Sequence, residues 1–242
     1  MANEVLLRLE GVSKSYGALK VTDDLSFSLR EGEALGVLGP NGAGKSTMFN
    51  LITGDVRPDA GRVVYQGQDI TALAPSARCR RGIGRSYQVP HPLAGMTVFE
   101  NLLVAALYGA GLEEGAANAH CVAVLDQTGL AHRANQLAGS LTLLDRKRLE
   151  LARALATRPK LLLLDEIAGG LTDHEAQALV QTIRDIRGQG VSIVWIEHVV
   201  HALLAVVDRL IVIHFGALLT EGPPAEVMAS RAVREVYMGV EA

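Results

Sequence analysis

The sequence is poor in aromatic residues and cysteine, and it carries no excess of basic charge. Aromatic side chains make up only 4% of the 242 residues against 49% hydrophobic residues, so we expect a core of aliphatic side chains. The two cysteines, Cys79 and Cys121, stand far apart and in no metal-ligand spacing, which indicates a reducing compartment rather than a disulfide scaffold. The net charge of −3 gives no indication of nucleic-acid binding.

Long apolar runs are also missing. The longest near-apolar stretch, Leu102 to Leu112, falls well short of the roughly 20 residues that a membrane-spanning helix needs. The N-terminal residues Met1 to Glu4 lack the positive charge and apolar run of a signal peptide. We therefore expect a soluble chain that reaches a membrane only through a partner.

Strands alternate with helices along most of the chain, which predicts an α/β fold with mainly parallel βαβ units. Short apolar runs typical of strands buried on both faces occur at Ala34–Leu38, Leu161–Leu164 and Val191–Ile196. Residues 88–159 break the alternation, because they show helical spacing and no clear strand. The length fits one large domain into which a mostly helical lobe is inserted.

A glycine-rich loop follows the first of these strands and precedes a predicted helix, Lys45–Thr53. The loop fits G-x-x-x-x-G-K-[ST] at every fixed position. Its residues are Gly39, Pro40, Asn41, Gly42, Ala43, Gly44, Lys45 and Ser46, with Thr47 beside them. Such a loop turns backbone N–H groups and a helix N-terminus towards a triphosphate, while Lys45 supplies a full charge and Ser46 a hydroxyl for Mg²⁺. A chance glycine turn is the alternative, and the strand–loop–helix context disfavours it.

Two acids, Asp165 and Glu166, follow the run of four leucines in the second buried strand. An acid at a strand end often only caps the next helix. After a phosphate-binding loop, however, the pair predicts that Asp165 holds the water shell of Mg²⁺ and that Glu166 polarises the attacking water.

Together these motifs resemble the ATPase subunits of the ABC transporter family, and the resemblance covers essentially the whole chain. It implies a P-loop ATPase of ABC type that uses ATP and Mg²⁺. The expected nucleotide-binding core, residues 1–87 and 160–242, has a mainly parallel sheet and an antiparallel β subdomain. Residues 88–159 are expected to form the helical lobe with the family's signature segment.

Three further positions match the family residue by residue. Gln88 stands where the family has a glutamine that touches Mg²⁺ and the attacking water, so the implied Mg²⁺ set is Ser46, Gln88 and Asp165. His198 matches the switch histidine at the γ-phosphate, so the implied catalytic set is Lys45, Gln88, Glu166 and His198. Tyr16 stands where an aromatic usually stacks on adenine, although a strand tyrosine could equally be packing. His201 suggests a metal site with His198, but no further ligand is apparent and we expect His201 to pack in the interior.

The signature segment departs from the family pattern, which usually reads Leu-Ser-Gly-Gly-Gln. The corresponding residues are Leu141, Thr142, Leu143, Leu144 and Asp145. Thr142 can replace the serine hydroxyl, but Leu144 stands where glycine usually lets the backbone approach the partner's nucleotide. Asp145 replaces the glutamine, and an acid near a phosphate is unfavourable by Coulomb's law.

The segments Met96–Leu102 and Val233–Gly239 resemble the bacterial branched-chain amino-acid uptake subfamily. This resemblance implies an importer at the cytoplasmic face of the inner membrane. Its expected partners are transmembrane permease subunits, a second ATPase subunit that is identical or homologous, and, indirectly, a periplasmic solute-binding protein, without nucleic acid. The alternatives are a non-transport ABC ATPase, another P-loop class, and a regulatory subunit that binds ATP without hydrolysing it.

Overall fold

The computed structural model describes the backbone of residues 4–238 and the side chains as far as Val236. The strands are β1 (Val5–Tyr16), β2 (Leu19–Arg30), β3 (Ala34–Leu38), β4 (Ala60–Tyr65), β5 (Gln68–Asp69), β6 (Ile83–Arg85), β7 (Leu161–Asp165), β8 (Ser192–Ile196), β9 (Arg209–His214) and β10 (Ala217–Gly222). The helices are α1 (Lys45–Thr53), α2 (Pro75–Arg80), α3 (Val98–Val104), α4 (Glu114–Gln127), α5 (Leu143–Ala156), α6 (Asp173–Gly188), α7 (Val200–Leu204), α8 (Pro224–Ala229) and α9 (Arg231–Met238). The chain divides into two compact units, the described part of residues 1–75 with 192–242, and residues 76–191.

The first unit contains an antiparallel sheet in the order β2-β1-β4-β5. Alternate residues of β1 and β2 face the core, so that Leu7 lies opposite Leu29 and Leu9 opposite Phe27, all four buried. This alternation is the period-2 pattern of a half-buried strand. The antiparallel β part expected for the fold is therefore present.

The first unit also contains a mixed sheet, in which β3 lies between β8 and β9 and pairs with both in parallel. All five residues of β3 are buried, as its continuous apolar sequence predicts. Strand β10 pairs antiparallel with β9 at the edge. The predicted α/β fold with a mainly parallel core is confirmed, and β3 delivers the chain to the start of α1.

In the second unit, β6 and β7 pair in parallel, with Ile83 opposite Leu161 and Arg85 opposite Leu163. The pairing continues beyond β6, because the Ser86 N–H donates to the Leu163 carbonyl at 2.9 Å. Residues 88–159, all of them described, form helices and turns without a strand, apart from one isolated bridge between Thr97 and Leu137. The division of the chain at residues 87/88 and 159/160 stays a prediction.

Helix α3 begins at a well-formed cap. Thr97 accepts a hydrogen bond from the Glu100 N–H, while the Glu100 carboxylate accepts from the Thr97 N–H, which is a capping box. The buried Asn101 side chain donates to the Thr97 and Leu93 carbonyls and accepts from the Leu93 N–H. The polar residues of the segment Met96–Leu102 therefore fix the preceding loop to the start of the helix.

One predicted helix was too long, and one short strand was missed. The sequence predicts a helix from Val199 to Val207, but α7 covers only Val200–Leu204. The chain leaves the helix because Asp208 pairs with Ala34, its N–H donating to the Ala34 carbonyl and its carboxylate accepting from the Ala34 N–H. Strand β6 was not predicted at all, since three residues show no periodicity.

None of the described helices is both long and apolar enough to span a bilayer.

Candidate functional site

In the first unit, the lysine of the phosphate-binding loop donates hydrogen bonds to carbonyl groups of the same loop. Lys45 is the first residue of α1, and its side chain is buried. Its ammonium donates to the Gly39 carbonyl at 2.6 Å and to the Pro40 carbonyl at 3.0 Å. A full positive charge therefore lies within the curve of the loop, beside the positive end of a helix dipole.

The shape of this loop depends on close backbone contacts. A Cβ atom at Gly39 would lie 2.3 Å from the Ile213 carbonyl oxygen, and one at Gly44 would lie 2.4 Å from the Val21 carbonyl oxygen. The Gly216 N–H, from the turn after β9, donates to the Ala43 carbonyl at 3.0 Å. Glycine is required at these two positions because the main chain of distant segments occupies the space that a side chain needs.

The remaining predicted residues of the first unit occupy exposed or half-buried positions. Asn41, Gly42 and Ser46 are exposed, and Thr47 is half-buried. Tyr16 ends β1 with 49% of its surface exposed, and the Lys14 ammonium lies 5.7 Å from its ring centre. A ring this exposed is available to a ligand and is not a core residue.

His198 lies two residues after the end of β8, and it is exposed. The buried carboxylate of Glu197 accepts hydrogen bonds from the His198 and Val199 N–H groups and so shapes this turn. The expectation that His201 packs in the interior is wrong, because His201 is exposed. No cluster of three potential metal-ligating side chains occurs in the described part of the chain.

In the second unit, the two acids are held by one side chain at the end of β6 and one from the segment that follows it. The Arg85 guanidinium donates to the Asp165 carboxylate at 2.9 Å, and the two side chains are only 7% and 5% exposed. The Gln88 amide donates to the Glu166 carboxylate at 2.5 Å. The structure therefore brings together three predicted residues, Gln88, Asp165 and Glu166, and adds Arg85.

Glu166 has an unusual backbone conformation, with a φ of 47° in the left-handed region. This conformation costs free energy for a residue with a side chain, and strained residues of this kind cluster at functional sites. The buried Lys147 of α5 donates to the Glu166 carbonyl at 3.2 Å. Arg85 and Lys147 could not be predicted as site residues from sequence, since their relation to the acids depends on strand register and helix packing.

The signature segment forms the N-terminus of α5. The Thr142 side chain accepts from the Asp145 N–H and caps the helix. Leu141 is buried, Leu144 is half-buried, and Leu143 is 51% exposed. The Asp145 carboxylate is buried and lies 3.6 Å from Arg133 and 3.9 Å from Arg148, so its charge is balanced within its own unit. This pairing lessens the repulsion of a phosphate that the sequence analysis expected from Asp145.

The loop after Gln88 is fastened to α5. Arg153 donates to the His91 carbonyl at 2.8 Å, and the His91 N–H donates to the Glu150 carboxylate at 3.3 Å. Burial raises the pKa of Glu150, although Arg153 at 3.2 Å acts in the opposite direction. Val89 of this loop is largely exposed. A loop with a fixed base and exposed apolar residues is suited to contact a partner.

Comparison with known families shows the class of protein to which the chain belongs. The family model described as ABC transporter matches residues 22–169, and the chain belongs to the ATP-binding subunits of this family. It is accordingly an ATPase whose activity is coupled to transport, and members of the family work with transmembrane subunits. A second model, branched-chain amino acid ATP-binding cassette transporter, matches residues 217–242.

Three relatives of the family are similar to this chain over nearly its whole length. A probable ABC transporter ATP-binding protein of Azorhizobium caulinodans is 37% identical over 96% of this chain and 82% of its own length. The lipopolysaccharide export system ATP-binding protein LptB of Haemophilus influenzae is 34% identical over 97% of both chains. The probable branched-chain amino acid transport ATP-binding protein LivG of Methanocaldococcus jannaschii is 32% identical over 97% of both chains.

Solved structures agree on the fold. A nucleotide-free ATP-binding cassette from an ABC transporter superposes with a TM-score of 0.89 at 31% identity, covering 98% of this chain and 100% of the other. The ADP conformation of an ATP-binding cassette gives a TM-score of 0.89 at 32% identity with the same coverage. The fold and the binding of an adenine nucleotide therefore have direct structural parallels.

Proposed function

We propose that this chain powers an ABC importer for a small solute, in the branched-chain amino-acid branch of the family. The observation that carries the importer assignment is the match of residues 217–242 to the branched-chain amino-acid model. The similarity to the probable LivG protein and the segment Met96–Leu102 support it. The second segment that suggested this subfamily, Val233–Gly239, ends outside the described residues.

Within this proposal the first unit binds ATP. The phosphate groups lie in the loop Gly39–Ser46, where Lys45 exchanges its bonds to the loop carbonyls for bonds to phosphate oxygens. Tyr16 stacks on adenine and His198 contacts the γ-phosphate. Both side chains are exposed, as a contact with a nucleotide requires.

The second unit supplies the groups for hydrolysis. Glu166 orients and polarises the attacking water, and Gln88 holds the Glu166 carboxylate through the bond at 2.5 Å. Lys147 fixes the main chain of Glu166 in its left-handed conformation. Phosphoryl transfer needs little covalent chemistry from a protein, so the positioning of these groups is the main contribution.

The donor set fits Mg²⁺. The Ser46 hydroxyl, the Gln88 amide oxygen and the Asp165 carboxylate offer oxygen atoms only, and Mg²⁺ is usually held by one or two carboxylates, water and substrate phosphates rather than by a full protein cage. When bound, the ion neutralises charge that develops on the phosphates. Asp165 is fixed by Arg85, which suits a residue that holds the water shell of the ion.

The proposed assembly has two ATPase subunits and two transmembrane subunits at the cytoplasmic face of the inner membrane, served by a periplasmic solute-binding protein. Each nucleotide lies between one phosphate loop and the signature segment of the other ATPase subunit. The exposed Leu143 and half-buried Leu144 make that second contact apolar. The loop from Val89 to Pro92 contacts the transmembrane subunits.

The apolar signature can be tested by light scattering of the Glu166→Gln protein with and without ATP, because blocked hydrolysis keeps bound ATP intact. Two copies closing on ATP should double the mass only when ATP is present. A monomer that binds ATP but never dimerises would contradict a homodimeric assembly and would require a different second ATPase subunit.

The importer assignment can be tested in cells that carry this chain, by replacing it with the Glu166→Gln form. Uptake of radiolabelled leucine, isoleucine and valine at limiting concentration should fall to the level of a deletion strain. A strain with Gln181→Ala, an exposed substitution on α6, is the matched control and should take up these amino acids normally. Normal uptake in the Glu166→Gln strain would contradict the assignment.

The second candidate is an exporter ATPase, which the 34% identity to the lipopolysaccharide export protein LptB favours. The same strains distinguish the two functions. An export subunit would leave amino-acid uptake intact and cause lipopolysaccharide to accumulate before it reaches the outer membrane.

A further inference from the structure

Arg85 lies at the point where the two strands of the second unit deliver their functional side chains. It is the last residue of β6, and its main chain lies opposite Leu163 of β7. Side chains two residues apart on a strand share one face, so Asp165 is the next residue of β7 on the face of Leu163. Arg85 therefore reaches diagonally across the strand pair to the Asp165 carboxylate, 2.9 Å away.

The burial of this ion pair sets it apart from a surface salt bridge. Both side chains are less than one-tenth exposed. Burying two charges costs several kcal/mol of desolvation for each, which their attraction offsets only when the geometry is good, so such a pair is weak evidence for stability. A contribution to the stability of the fold therefore does not by itself explain an arginine at this position.

The same guanidinium also contacts the segment that carries Gln88. The centre of the Arg85 guanidinium lies 4.7 Å from the Tyr87 ring centre, within the range of a cation–π interaction. The next residue, Gln88, donates to Glu166 at 2.5 Å. Arg85 thus contacts Asp165 on one side and the residue before Gln88 on the other, and the two acids are adjacent in sequence.

We propose that Arg85 is a positioning residue that orients the Asp165 carboxylate for the metal–nucleotide complex and holds the Tyr87–Gln88 segment in register with Glu166. The inference rests on the proposed function, since it assigns Asp165 to the water shell of the metal. Arg85 touches neither nucleotide nor metal in this role. Its effect on the metal passes mainly through Asp165, which it contacts directly, and to a smaller extent through Gln88, while its effect on hydrolysis passes through both acids.

The test uses Mn²⁺ as a spectroscopic substitute for Mg²⁺. Electron paramagnetic resonance measures the affinity of Mn²⁺ for the full chain in the presence of a non-hydrolysable ATP analogue. Loss of a residue that orients a metal-site carboxylate typically costs 10–100-fold in metal affinity. Arg85→Met should therefore weaken Mn²⁺ binding by about tenfold or more, while metal-free ATP binding stays within about twofold of the wild type. Arg81→Met, an exposed arginine of the same unit, is the matched control and should change neither value.

A double-mutant cycle separates positioning from a general structural role. In an Asp165→Asn background, adding Arg85→Met should lower Mn²⁺ affinity clearly less than it does in the wild-type background, because the carboxylate that Arg85 contacts directly is already gone and only its contact with Tyr87 is left to lose. An equal loss in both backgrounds, or a wild-type Mn²⁺ affinity in Arg85→Met, would overturn the inference.

Arg85→Lys decides the question if Arg85→Met fails to fold in a thermal melt. Lysine keeps the charge but lacks the planar fork that bridges Asp165 and Tyr87, so Mn²⁺ affinity should fall by about threefold or more. A wild-type affinity in this variant would overturn the inference. If the wild-type protein itself neither binds the Mn²⁺–nucleotide complex nor hydrolyses ATP, the proposed function fails instead.

Discussion

The phosphate loop and the acidic end of β7 are built by opposite means. The loop is shaped by the main chain, with Gly39 and Gly44 pressed against carbonyls of Ile213 and Val21. The acids are held by side chains, Asp165 by Arg85 and Glu166 by Gln88. Changes that add volume should therefore destroy the loop, whereas changes that remove a polar group should impair the acids without destroying the fold.

This difference decides what each part tolerates and what it contributes. In a loop defined by close backbone contacts, a substitution that adds atoms at a contact displaces the main chain, so we expect it to abolish nucleotide binding rather than weaken it slightly. A carboxylate held by one or two side-chain partners can be moved slightly, so its rate contribution can change while binding persists. Substitutions in the phosphate loop should therefore change the affinity for ATP, and substitutions around the acids should change the rate of turnover.

The largest effect is expected from Gly39→Val. A Cβ at this position would lie 2.3 Å from the Ile213 carbonyl oxygen, so the loop must move by an ångström or so. A misplacement of that size can cost about 100-fold in rate. Because this loop is the part that binds the phosphates, we also expect a large loss of ATP affinity, measured by equilibrium binding. Gly188→Ala at the end of α6, where an added Cβ meets nothing within 4 Å, is the control. An unchanged ATP affinity in Gly39→Val would contradict the claim that close backbone contacts define the phosphate loop.

A smaller effect is expected from Gln88→Ala. The substitution removes the donor that lies 2.5 Å from the Glu166 carboxylate but leaves the phosphate loop intact. Turnover of ATP should fall by about tenfold or more, while the dissociation constant for ATP stays within about twofold. Steady-state kinetics and equilibrium binding measure the two quantities. Equal losses in both would show that Gln88 serves binding rather than hydrolysis.

The smallest effect is expected from Thr172→Ala, which removes the cap of the helix that follows the Glu166 loop. Thr172 accepts from the Glu175 N–H, and Glu175 accepts from the Thr172 N–H and hydroxyl. Loss of an N-cap typically lowers the free energy of unfolding by about 1 kcal/mol, measurable by urea denaturation at pH 7. Thr182→Ala, within the same helix, removes no cap and is the control.

The effect of Thr172→Ala should depend on pH in a defined direction. The hydrogen bonds from Thr172 lower the pKa of Glu175. A carboxyl whose pKa is lowered on folding stabilises the protein above its ordinary pKa, and this contribution is lost as the pH falls through the lowered value. Thr172→Ala keeps the backbone N–H that donates to Glu175 and removes only the hydroxyl bond, so the difference in stability between wild type and variant should shrink slightly in acid. A constant difference would contradict a stabilising bond from the Thr172 hydroxyl to the ionised Glu175 carboxylate.

The phosphate loop could be predicted from sequence because its pattern is local and contiguous. The strand Ala34–Leu38 and the helix Lys45–Thr53 were predicted with the bounds that the structure shows. The acids after Leu164 were likewise indicated by a run of leucines, whereas the antiparallel sheet was expected from the family resemblance. For the loop and the acids, the residues that define the feature are neighbours in the chain.

The remaining features depend on pairing between distant segments. Arg85 and Asp165 are 80 residues apart, and only the register of β6 against β7 joins them. The same holds for Lys147 with Glu166 and for Arg133 with Asp145, whose charge appears unbalanced in the sequence alone. His201 was placed in the interior from the apolar residues around it, yet the short α7 leaves it exposed.

Single-turnover hydrolysis by the Glu166→Gln protein tests the central claim most directly, since one phosphate loop and one carboxylate are then examined together. The protein is loaded with radiolabelled ATP, Mg²⁺ is added, and phosphate release is followed beside the wild type. We predict that ATP affinity stays within about twofold while hydrolysis falls by at least about 100-fold. Hydrolysis at the wild-type rate would contradict the assignment of Glu166 and, with it, the division between a backbone loop that binds and side-chain acids that hydrolyse.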